Sequence, residues 1–320
     1  MSGGVEIPVR VVEIEQATPT VRRFRLAPID GAPLPPFSAG AHVVTLMPAR
    51  DRVIRNAYSL IDRAADGSSY RIGVLRVAQS RGGSAFMHDE VTVGTELRIT
   101  MPVNLFPLAH AGRKHLLIAG GIGITPIFAM AEELRRTDAH YEIHYAMRNA
   151  ASGAFVDELR ARHGDKLKLY RDDCQEILAV DAILPNQPLG THLYVCGPEG
   201  MIEAVLEGAR EAGWPEENLH SERFQAPPTG EPFSVRLAKA GITCEVRGDQ
   251  SLLEALEAAG VDAPFLCRGG ACGQCEATVV EADGELVHND HYLTDADKAS
   301  GSKIMLCVSR LKGRELVLDL

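Results

Sequence analysis

The stretch CRGGACGQC, residues 267–275, places three cysteines in a C-x4-C-x2-C spacing, and Cys307 stands alone further along the chain. A short loop with this spacing wraps a [2Fe–2S] cluster with three thiolates, and a distant strand supplies the fourth. Glycines within the loop let the backbone approach the sulfurs closely. The spacing therefore predicts four cluster ligands: Cys267, Cys272, Cys275 and Cys307.

The alternative interpretation of these cysteines is a structural zinc site. Zinc sites of this kind usually combine two separated C-x2-C pairs, whereas here the fourth cysteine is single and the loop is glycine-rich. The chain has seven cysteines, an odd number that cannot all form disulfides. Clustered cysteines in a cytosolic chain more often hold a metal than a disulfide, and the spacing favours iron–sulfur over zinc.

Upstream of the cysteine loop, residues 111–228 alternate apolar strand-like runs with helical runs. HLLIAGG (115–121) is followed by the helical TPIFAMAEELRR (125–136), in which Thr125 is expected to cap the helix and Pro126 to lie in its first turn. Strands that alternate with helices predict a parallel sheet with crossover connections.

Two glycine-containing turns lie in this region, AGGIGITP at 119–126 and CGPEGM at 196–201. Each follows an apolar strand and precedes a helix, so the backbone can receive a pyrophosphate at a helix N-terminus. A tight strand–helix turn without a ligand is the alternative for either turn alone. Together they predict a dinucleotide site at the strand ends.

The first part of the chain, residues 5–107, contains short runs rich in Val and Ile that are separated by Gly, Pro and Asp. This pattern predicts an antiparallel barrel or sandwich. Within it, RNAYSL (55–60) offers an arginine for a phosphate, a tyrosine for a flavin edge and a serine for a ring nitrogen. RGGS (81–84) opens a short helix and could bind an anion. A surface arginine and a serine at a helix start remain the alternatives.

Charge and composition restrict the classes of function. The chain has a net charge of −10, which argues against nucleic-acid binding because that requires a basic surface. Residues 229–320 hold nine basic and fifteen acidic residues, whereas residues 1–110 are slightly basic. The N-terminus lacks an apolar signal-peptide core and no apolar run suits a membrane span. We expect a cytoplasmic protein with a linker at 225–232.

These motifs occur in an order that resembles the phthalate dioxygenase reductase family, in the branch that serves vanillate O-demethylase and carnitine monooxygenase. The resemblance implies a multidomain α+β and α/β protein. An antiparallel β-barrel flavin domain (1–110) precedes a parallel-sheet NAD domain (111–228) and a C-terminal β-grasp, plant-type ferredoxin domain (229–320). It further implies FMN, NADH, one [2Fe–2S] cluster and a Rieske-type oxygenase partner. We expect a monomer.

The resemblance also implies roles for individual residues. Ser59, Cys196 and Phe224 would lie at the reacting rings, with Ser59 near the flavin N5 and Cys196 beside the nicotinamide. The residues implied to bind the cofactors are Arg55, Asn56, Tyr58, Ser59, Gly82, Gly83, Ser84, Gly121, Gly123, Thr125, Pro126, Arg148, Cys196, Gly197 and Pro198. Arg148 follows the second strand of the sheet, where an acidic residue would favour the NAD ribose.

Two features depart from the relatives. Arg268 stands in the cysteine loop where several relatives have an acidic residue, and His288-Asn289-Asp290 replaces their usual His-Arg-Asp. We expect these residues to alter the surface that meets the partner, with Arg268 projecting from an otherwise acidic domain. Such charge would steer docking to a positive patch of the oxygenase.

The sequence therefore predicts an NADH-dependent reductase that passes electrons through FMN and a [2Fe–2S] cluster to an oxygenase. Two alternatives stay open at this point. One is an FAD-dependent ferredoxin-type reductase with a different acceptor, and the other is a non-catalytic, zinc-stabilised binding module.

Overall fold

The computed structural model describes residues 5–48, 53–78, 81–224 and 228–320. They form two compact units: the larger is Glu6–Phe224 and the smaller contains residues 228–320. The predicted linker at 225–232 begins at residues 225–227, which lie outside the described residues. Among the described residues, we find no helix with the length and apolar character needed to cross a membrane.

The first part of the larger unit is an antiparallel barrel. Its strands run in the order β4-β5-β2-β1-β6-β3, and β3 pairs with β4 to close the barrel, while the short β7 extends β3. Buried side chains such as Phe24, Leu60 and Ile72 fill its interior. The prediction of an antiparallel β-barrel is confirmed. Its elements are β1 (Glu6–Thr18), β2 (Val21–Pro28), β3 (Ala41–Pro48), β4 (Val53–Arg63), β5 (Tyr70–Leu75), α1 (Gly83–Asp89), β6 (Glu96–Thr100) and β7 (Val103–Asn104).

The second part of the larger unit is a parallel five-stranded sheet in the order β10-β9-β8-β11-β12. Helix α2 packs on one face with Leu117 and Tyr145, while α4 and α5 cover the other face. The predicted parallel sheet is confirmed. Its elements are β8 (Lys114–Gly120), α2 (Ile124–Arg136), β9 (Tyr141–Met147), α3 (Val156–His163), β10 (Leu167–Arg171), α4 (Val180–Ile183), β11 (Thr191–Cys196), α5 (Glu199–Glu211) and β12 (Leu219–Glu222).

The barrel and the parallel sheet share one hydrophobic core. Val21 of β2 and Ile61 of β4 belong to the same buried cluster as Phe128 of α2. Phe155, at the start of α3, packs beneath Gly73 of β5, where a Cβ would lie 3.3 Å from its ring. The barrel therefore stands against the carboxyl edge of the sheet, where ligands bind in open α/β folds.

The smaller unit is a mixed sheet in the order β14-β13-β19-β15-β17, in which β13 and β19 are parallel. Helix α6 packs its buried leucines, Leu252, Leu253 and Leu256, on the sheet, as expected of a β-grasp domain. Its elements are β13 (Phe233–Leu237), β14 (Thr243–Val246), α6 (Leu252–Ala258), β15 (Glu276–Ala282), β16 (Glu285–Val287), α7 (Asp295–Ser300), β17 (Lys303–Met305), β18 (Arg310–Lys312) and β19 (Glu315–Leu318).

Candidate functional site

The RNAYSL and RGGS motifs meet in the barrel. Arg55, Asn56, Tyr58 and Ser59 lie on β4, and α1 begins at Gly83 beside them. A Cβ at position 83 would lie 2.3 Å from the Asn56 Nδ2 atom, so a larger residue there would force the Asn56 side chain to move. Two motifs that are separated in sequence therefore form one surface.

The polar groups on this surface are poised for a ligand. Ser59 is 4% exposed, and its Oγ has no hydrogen-bond partner within the described part of the chain. Burying a hydroxyl without a partner costs about 1–3 kcal/mol, so a bound group that hydrogen-bonds to it would be stabilised. Burial raises the pKa of Tyr58 to about 12, which keeps its phenol neutral.

The turn before α1 bends sharply at Gly82, and Ser84 beside it is already engaged in a hydrogen bond within the chain. Gly82 has φ 109°, a conformation that favours glycine, and directly precedes the helix. The Ser84 Oγ accepts a hydrogen bond from the Val77 backbone N–H at 3.2 Å. Ser84 thus ties the end of β5 to α1, while its hydroxyl proton remains able to donate to a ligand.

The two glycine turns of the sheet contact each other directly. β8 and β11 are neighbouring parallel strands, and they end at Gly120 and Cys196. A Cβ at Gly123 would lie 2.2 Å from the Cys196 carbonyl oxygen, and one at Gly120 would lie 2.6 Å from the Pro198 ring. Glycine at these positions lets the turns close into one cradle at the carboxyl edge, as the sequence predicts.

The predicted capping role of Thr125 is wrong. Helix α2 begins at Ile124 with Gly123 as its N-cap, so Thr125 already lies inside the helix. The Thr125 hydroxyl donates to the Ile122 carbonyl at 3.1 Å. Pro126 does occupy the first turn, as expected. The Ile124 N–H already donates to the Gly121 carbonyl, and Pro126 has no N–H. The N–H groups without a partner inside the helix therefore belong to the preceding helical turn Gly121–Gly123, which has no side-chain cap and begins at Gly121 with φ 52°.

Glu222 is a site residue that was not predicted from the sequence. It ends β12 directly beside Cys196 in the parallel register, and its Oε2 is buried without a hydrogen-bond partner in the described part of the chain. Burial raises the pKa of Glu222 to about 8 and also raises the pKa of the Cys196 thiol well above its usual range. The signal was available, because Glu222 ends a strand at the sheet edge that carries the glycine turns.

Two predicted residues are not enclosed by this cradle. Arg148 follows β9 and is exposed, and its carbonyl accepts a hydrogen bond from the Asp173 backbone N–H at 3.0 Å. Phe224 is 47% exposed at the end of the larger unit, next to residues 225–227, which lie outside the described residues. Their roles therefore remain predictions.

The cysteine loop of the smaller unit gathers its thiols. Cys275 and Cys307 have their sulfurs 3.2 Å apart, and the backbone N–H groups of Gly269 and Ala271 donate to the Cys267 sulfur at 3.3 and 3.4 Å. Hydrogen bonds from Cys272 and Cys307, together with these amides, lower the pKa of Cys267 far below its usual range. These contacts stabilise a thiolate, the form that ligates a metal, at Cys267. The same hydrogen bonds raise the pKa of the two donating thiols, Cys272 and Cys307.

The comparisons with known proteins agree with this geometry over the whole chain. A carnitine monooxygenase reductase subunit of Acinetobacter baumannii is 44% identical over 315 residues, which cover 98% of each chain. The beta subunit of a heme-dependent oxidative N-demethylase of Ectopseudomonas mendocina is 45% identical over 98% of this chain and 99% of its own. The solved structure of phthalate dioxygenase reductase, 33% identical, superimposes with a TM-score of 0.89 over 99% of this chain and 98% of its own.

The chain belongs to the phthalate dioxygenase reductase family. It is an oxidoreductase, and the solved family member is described as a modular structure for electron transfer from pyridine nucleotides to [2Fe–2S]. Two domain models match this reductase: the 2Fe-2S iron-sulfur cluster binding domain at residues 235–312, and the N-terminal domain of the dimethylamine monooxygenase subunit DmmA-like family at 102–219. The first match covers all four clustered cysteines, so the reductase carries a [2Fe–2S] domain.

The structure corrects the predicted position of Arg268 in this reductase. Its side chain does not project from the cysteine loop: it is 7% exposed, forms an ion pair with Glu257 of α6 and lies over the Phe265 ring at 4.0 Å. Arg268 has φ 53°, so the loop bends back toward α6 at this residue. The Arg268 guanidinium is therefore neutralised by Glu257 inside the smaller unit and does not form part of a surface for a partner.

The His288-Asn289-Asp290 segment is also not the surface feature that we expected. The side chains of His288 and Asp290 are 8% and 0% exposed. Asp290 accepts hydrogen bonds from the Leu293 backbone N–H at 2.8 Å and from the Ser309 hydroxyl at 3.3 Å. A Cβ at Gly270 would lie 3.1 Å from the Asp290 Cα. This segment thus supports the cysteine loop and the chain that follows Cys307.

Proposed function

We propose that the chain is the NADH-dependent reductase component of a Rieske non-haem iron oxygenase system. The observation that carries the proposal is the presence in one chain of three elements: the β4–α1 surface with its unpaired Ser59 hydroxyl, the paired glycine turns, and the four-thiol loop. The three elements suit FMN, the pyridine nucleotide and the [2Fe–2S] cluster, in that order. We further propose the three-domain division 1–110, 111–228 and 229–320, a monomeric state and a cytoplasmic location.

The β4–α1 surface fits FMN. Arg55 and the turn at Gly82, Gly83 and Ser84 would hold the phosphate, and Tyr58 would pack at the ring edge. Ser59 would donate its otherwise unpaired hydroxyl to a ring nitrogen. A bound flavin supplies the conversion between two-electron and one-electron transfer. Proteins contribute to such chemistry by positioning the reacting groups.

The paired turns fit a pyridine nucleotide. The uncapped turn Gly121–Gly123 would receive the pyrophosphate, with Thr125 and Pro126 beside it at the start of α2. Cys196, Gly197 and Pro198 would border the nicotinamide, and Arg148 lies at the same sheet edge. Burial raises the pKa of Glu222 to about 8, so the carboxyl group beside Cys196 would be mostly neutral at pH 7.

A haem-dependent oxygenase is the second candidate for the partner. One relative is the beta subunit of a heme-dependent oxidative N-demethylase, and the DmmA-like model matches residues 102–219. The first similarity supports a haem-dependent enzyme as the acceptor, and the second supports a monooxygenase. The sequence resemblance to the vanillate and carnitine branch favours the Rieske class, which we propose first.

The test is reconstitution. The purified chain is mixed with NADH, candidate oxygenases of the Rieske and haem classes, and their substrates, and product formation is measured against NADH oxidation. Turnover with a Rieske oxygenase supports the proposal, and turnover with the haem enzyme alone supports the second candidate. Released cofactor distinguishes FMN from FAD.

A further inference from the structure

The side chain of Asp290 is buried directly behind the cysteine loop, with 0% of it exposed. Gly270, which lies between Cys267 and Cys272, packs against it: a Cβ at Gly270 would lie 3.1 Å from the Asp290 Cα and 3.3 Å from its Cβ. The backbone N–H of His291 donates to the Gly270 carbonyl at 3.1 Å. Asp290 therefore belongs to the wall on which the loop rests.

The same side chain contacts the segment that carries the fourth predicted ligand. Cys307 is followed by Val308 and Ser309, and the Ser309 hydroxyl donates to Oδ1 of Asp290 at 3.3 Å. Val308 also packs on the loop, because a Cβ at Gly270 would lie 2.7 Å from its Cγ2. Asp290 therefore lies where the three-cysteine loop and the Cys307 segment meet.

The hydrogen bonds of Asp290 require a polar side chain but not a charged one. Its Oδ2 accepts from the Leu293 backbone N–H at 2.8 Å, and its Oδ1 accepts from the Ser309 hydroxyl. An asparagine can accept the first bond with its carbonyl oxygen and donate to the hydroxyl with its amide. A buried carboxylate costs more free energy to desolvate than a neutral amide. The negative charge is therefore not explained by the packing of this segment.

The carboxylate of Asp290 has no hydrogen-bonded cation in the part of the chain that the structure describes. His288 Nδ1 is 3.7 Å from Oδ1, beyond hydrogen-bond distance. The half-buried Lys298 ammonium donates to the backbone carbonyl of Asp290 at 2.8 Å, and not to its carboxylate. This differs from Arg268, whose charge is neutralised directly by Glu257.

A buried charge at this position acts on a cluster held by the loop. The net charge around an iron–sulfur cluster is one determinant of its reduction potential. Gly270 is two residues before Cys272, so the Asp290 carboxylate lies on the order of 10 Å from a ligand sulfur. At that distance and an effective dielectric constant of about 20, one unit charge changes a one-electron equilibrium by roughly ten-fold.

We infer that the buried charge of Asp290 lowers the reduction potential of the [2Fe–2S] cluster. Asp290 is a positioning residue: it joins the loop to the Cys307 segment and keeps one negative charge behind the thiolates. Reduction adds one electron to the cluster, and the carboxylate disfavours that gain, so the reduced cluster is a stronger one-electron donor to the acceptor. The inference rests on the [2Fe–2S] domain and not on the class of the oxygenase partner.

The test is a redox titration of the purified holoprotein, in which visible absorbance and electron paramagnetic resonance follow the cluster. Asp290→Asn removes the charge and keeps the shape. It should shift the equilibrium toward the reduced cluster by roughly ten-fold, which is a rise of about 59 mV for one electron. The resonance signal should keep its shape. An unchanged or lower potential in Asp290→Asn would overturn the inference.

Two controls separate charge from packing. Asp283 is an exposed carboxylate of the same unit that also accepts backbone N–H bonds, from Arg314 and Glu315 at 2.6 and 2.9 Å. Asp283→Asn should leave the potential unchanged because solvent and salt screen an exposed charge. His288→Gln alters the same buried segment but keeps the Asp290 charge, so it should not raise the potential. Equal rises in His288→Gln and Asp290→Asn would show that packing sets the potential and would overturn the inference.

Lys298→Gln keeps the test decisive if Asp290→Asn does not retain a cluster. This substitution removes a positive charge that is held at Asp290 and opposes the effect of its carboxylate. The potential should therefore fall, by less than ten-fold in the equilibrium because Lys298 is only half-buried. An unchanged or higher potential in Lys298→Gln would then overturn the inference. Failure of the reconstitution with a Rieske oxygenase would refute the proposed function and leave these potentials as they are.

Discussion

Arg268 and Glu257 form a buried ion pair that fastens the cysteine loop to helix α6. The two side chains are 7% and 16% exposed, and the guanidinium also lies over the Phe265 ring. Arg268 directly follows the predicted ligand Cys267 and takes a left-handed backbone conformation, so the pair fixes the first bend of the loop. The positive charge of Arg268 therefore stabilises the conformation of the cysteine loop.

We therefore expect Arg268→Ala to destabilise the smaller unit strongly. The substitution leaves the Glu257 carboxylate buried without its cation, a change that typically costs about 3–5 kcal/mol. Chemical denaturation followed by the visible absorbance of the cluster measures the effect. The matched control is Arg236→Ala, since Arg236 and Glu315 are 3.7 Å apart and about half exposed, and such a pair contributes less than about 1 kcal/mol. Equal losses in both variants would contradict the bracing role.

A second prediction concerns the contact between the two glycine turns. Gly123 has an ordinary helical conformation, but a Cβ there would lie 2.2 Å from the Cys196 carbonyl oxygen. Gly123→Ala must separate the turns, so it should destabilise the larger unit by about 1–3 kcal/mol and weaken NADH binding. Gly200→Ala is the control, because a Cβ there meets nothing within 4 Å. It should leave stability unchanged or raise it by less than about 1 kcal/mol. If both variants bind NADH like wild type, the turns do not form the nucleotide cradle.

The fold could be predicted from the sequence because its signals are local. Strand runs predicted an antiparallel barrel or sandwich, and strand–helix alternation predicted the parallel sheet. Cysteine spacing predicted the cluster loop, whereas the choice of a barrel and of a β-grasp domain came from the family resemblance. Arg268 could not be placed in the same way. Its burial depends on Glu257, which lies on a helix eleven residues earlier, and a charged residue in a polar loop ordinarily stays in solvent. Likewise, the pKa of Glu222 is raised by burial, and that burial depends on the folded sheet, in which the residue ends β12 beside Cys196.

Loss of a cluster ligand should stop electron transfer through the cluster while NADH still reduces the flavin. Cys275→Ser removes a thiolate whose sulfur lies 3.2 Å from that of Cys307, so the [2Fe–2S] spectrum should be lost or labile. Flavin should stay bound, and NADH should still reduce a two-electron dye but reduce cytochrome c slowly. Cys244→Ser, at a half-buried cysteine in β14, should keep the full spectrum. A Cys275→Ser protein with a normal spectrum and rate would exclude Cys275 as a ligand.

Flavin retention should depend on Arg55. A charge-assisted contact to phosphate contributes about 1.5–3 kcal/mol, so Arg55→Ala should raise the FMN dissociation constant by roughly ten- to a hundred-fold. Flavin fluorescence during serial dilution measures the release. Arg98→Ala is the control, because Arg98 lies on β6 of the same barrel and forms an exposed pair with Glu6 at 3.0 Å. Unchanged FMN retention in Arg55→Ala would remove Arg55 from the phosphate site.

The ionisation of Glu222 should make the free energy of unfolding depend on pH. Burial raises its pKa in the folded state to about 8 from an ordinary value of 4.5. Between these pH values the folded chain holds a proton that the unfolded chain releases, so the free energy of unfolding falls as pH rises through this range. Its stabilising effect is fully present below about pH 4.5 and is lost as pH rises through about 8.

Glu222→Gln keeps the shape and cannot ionise, so its unfolding free energy should decline less steeply between pH 5 and pH 8 than that of wild type. Denaturant titrations at several pH values measure the slope. Glu211→Gln, at an exposed carboxylate of α5, should reproduce the wild-type slope. The buried carboxylate adjoins Cys196, so filling the nucleotide cradle with NAD⁺ should change the Glu222 slope and leave that of the Gln variant as it is. Parallel slopes in wild type and Glu222→Gln would show that Glu222 is ionised in the folded protein, as an open, hydrated carboxylate at this sheet edge would be.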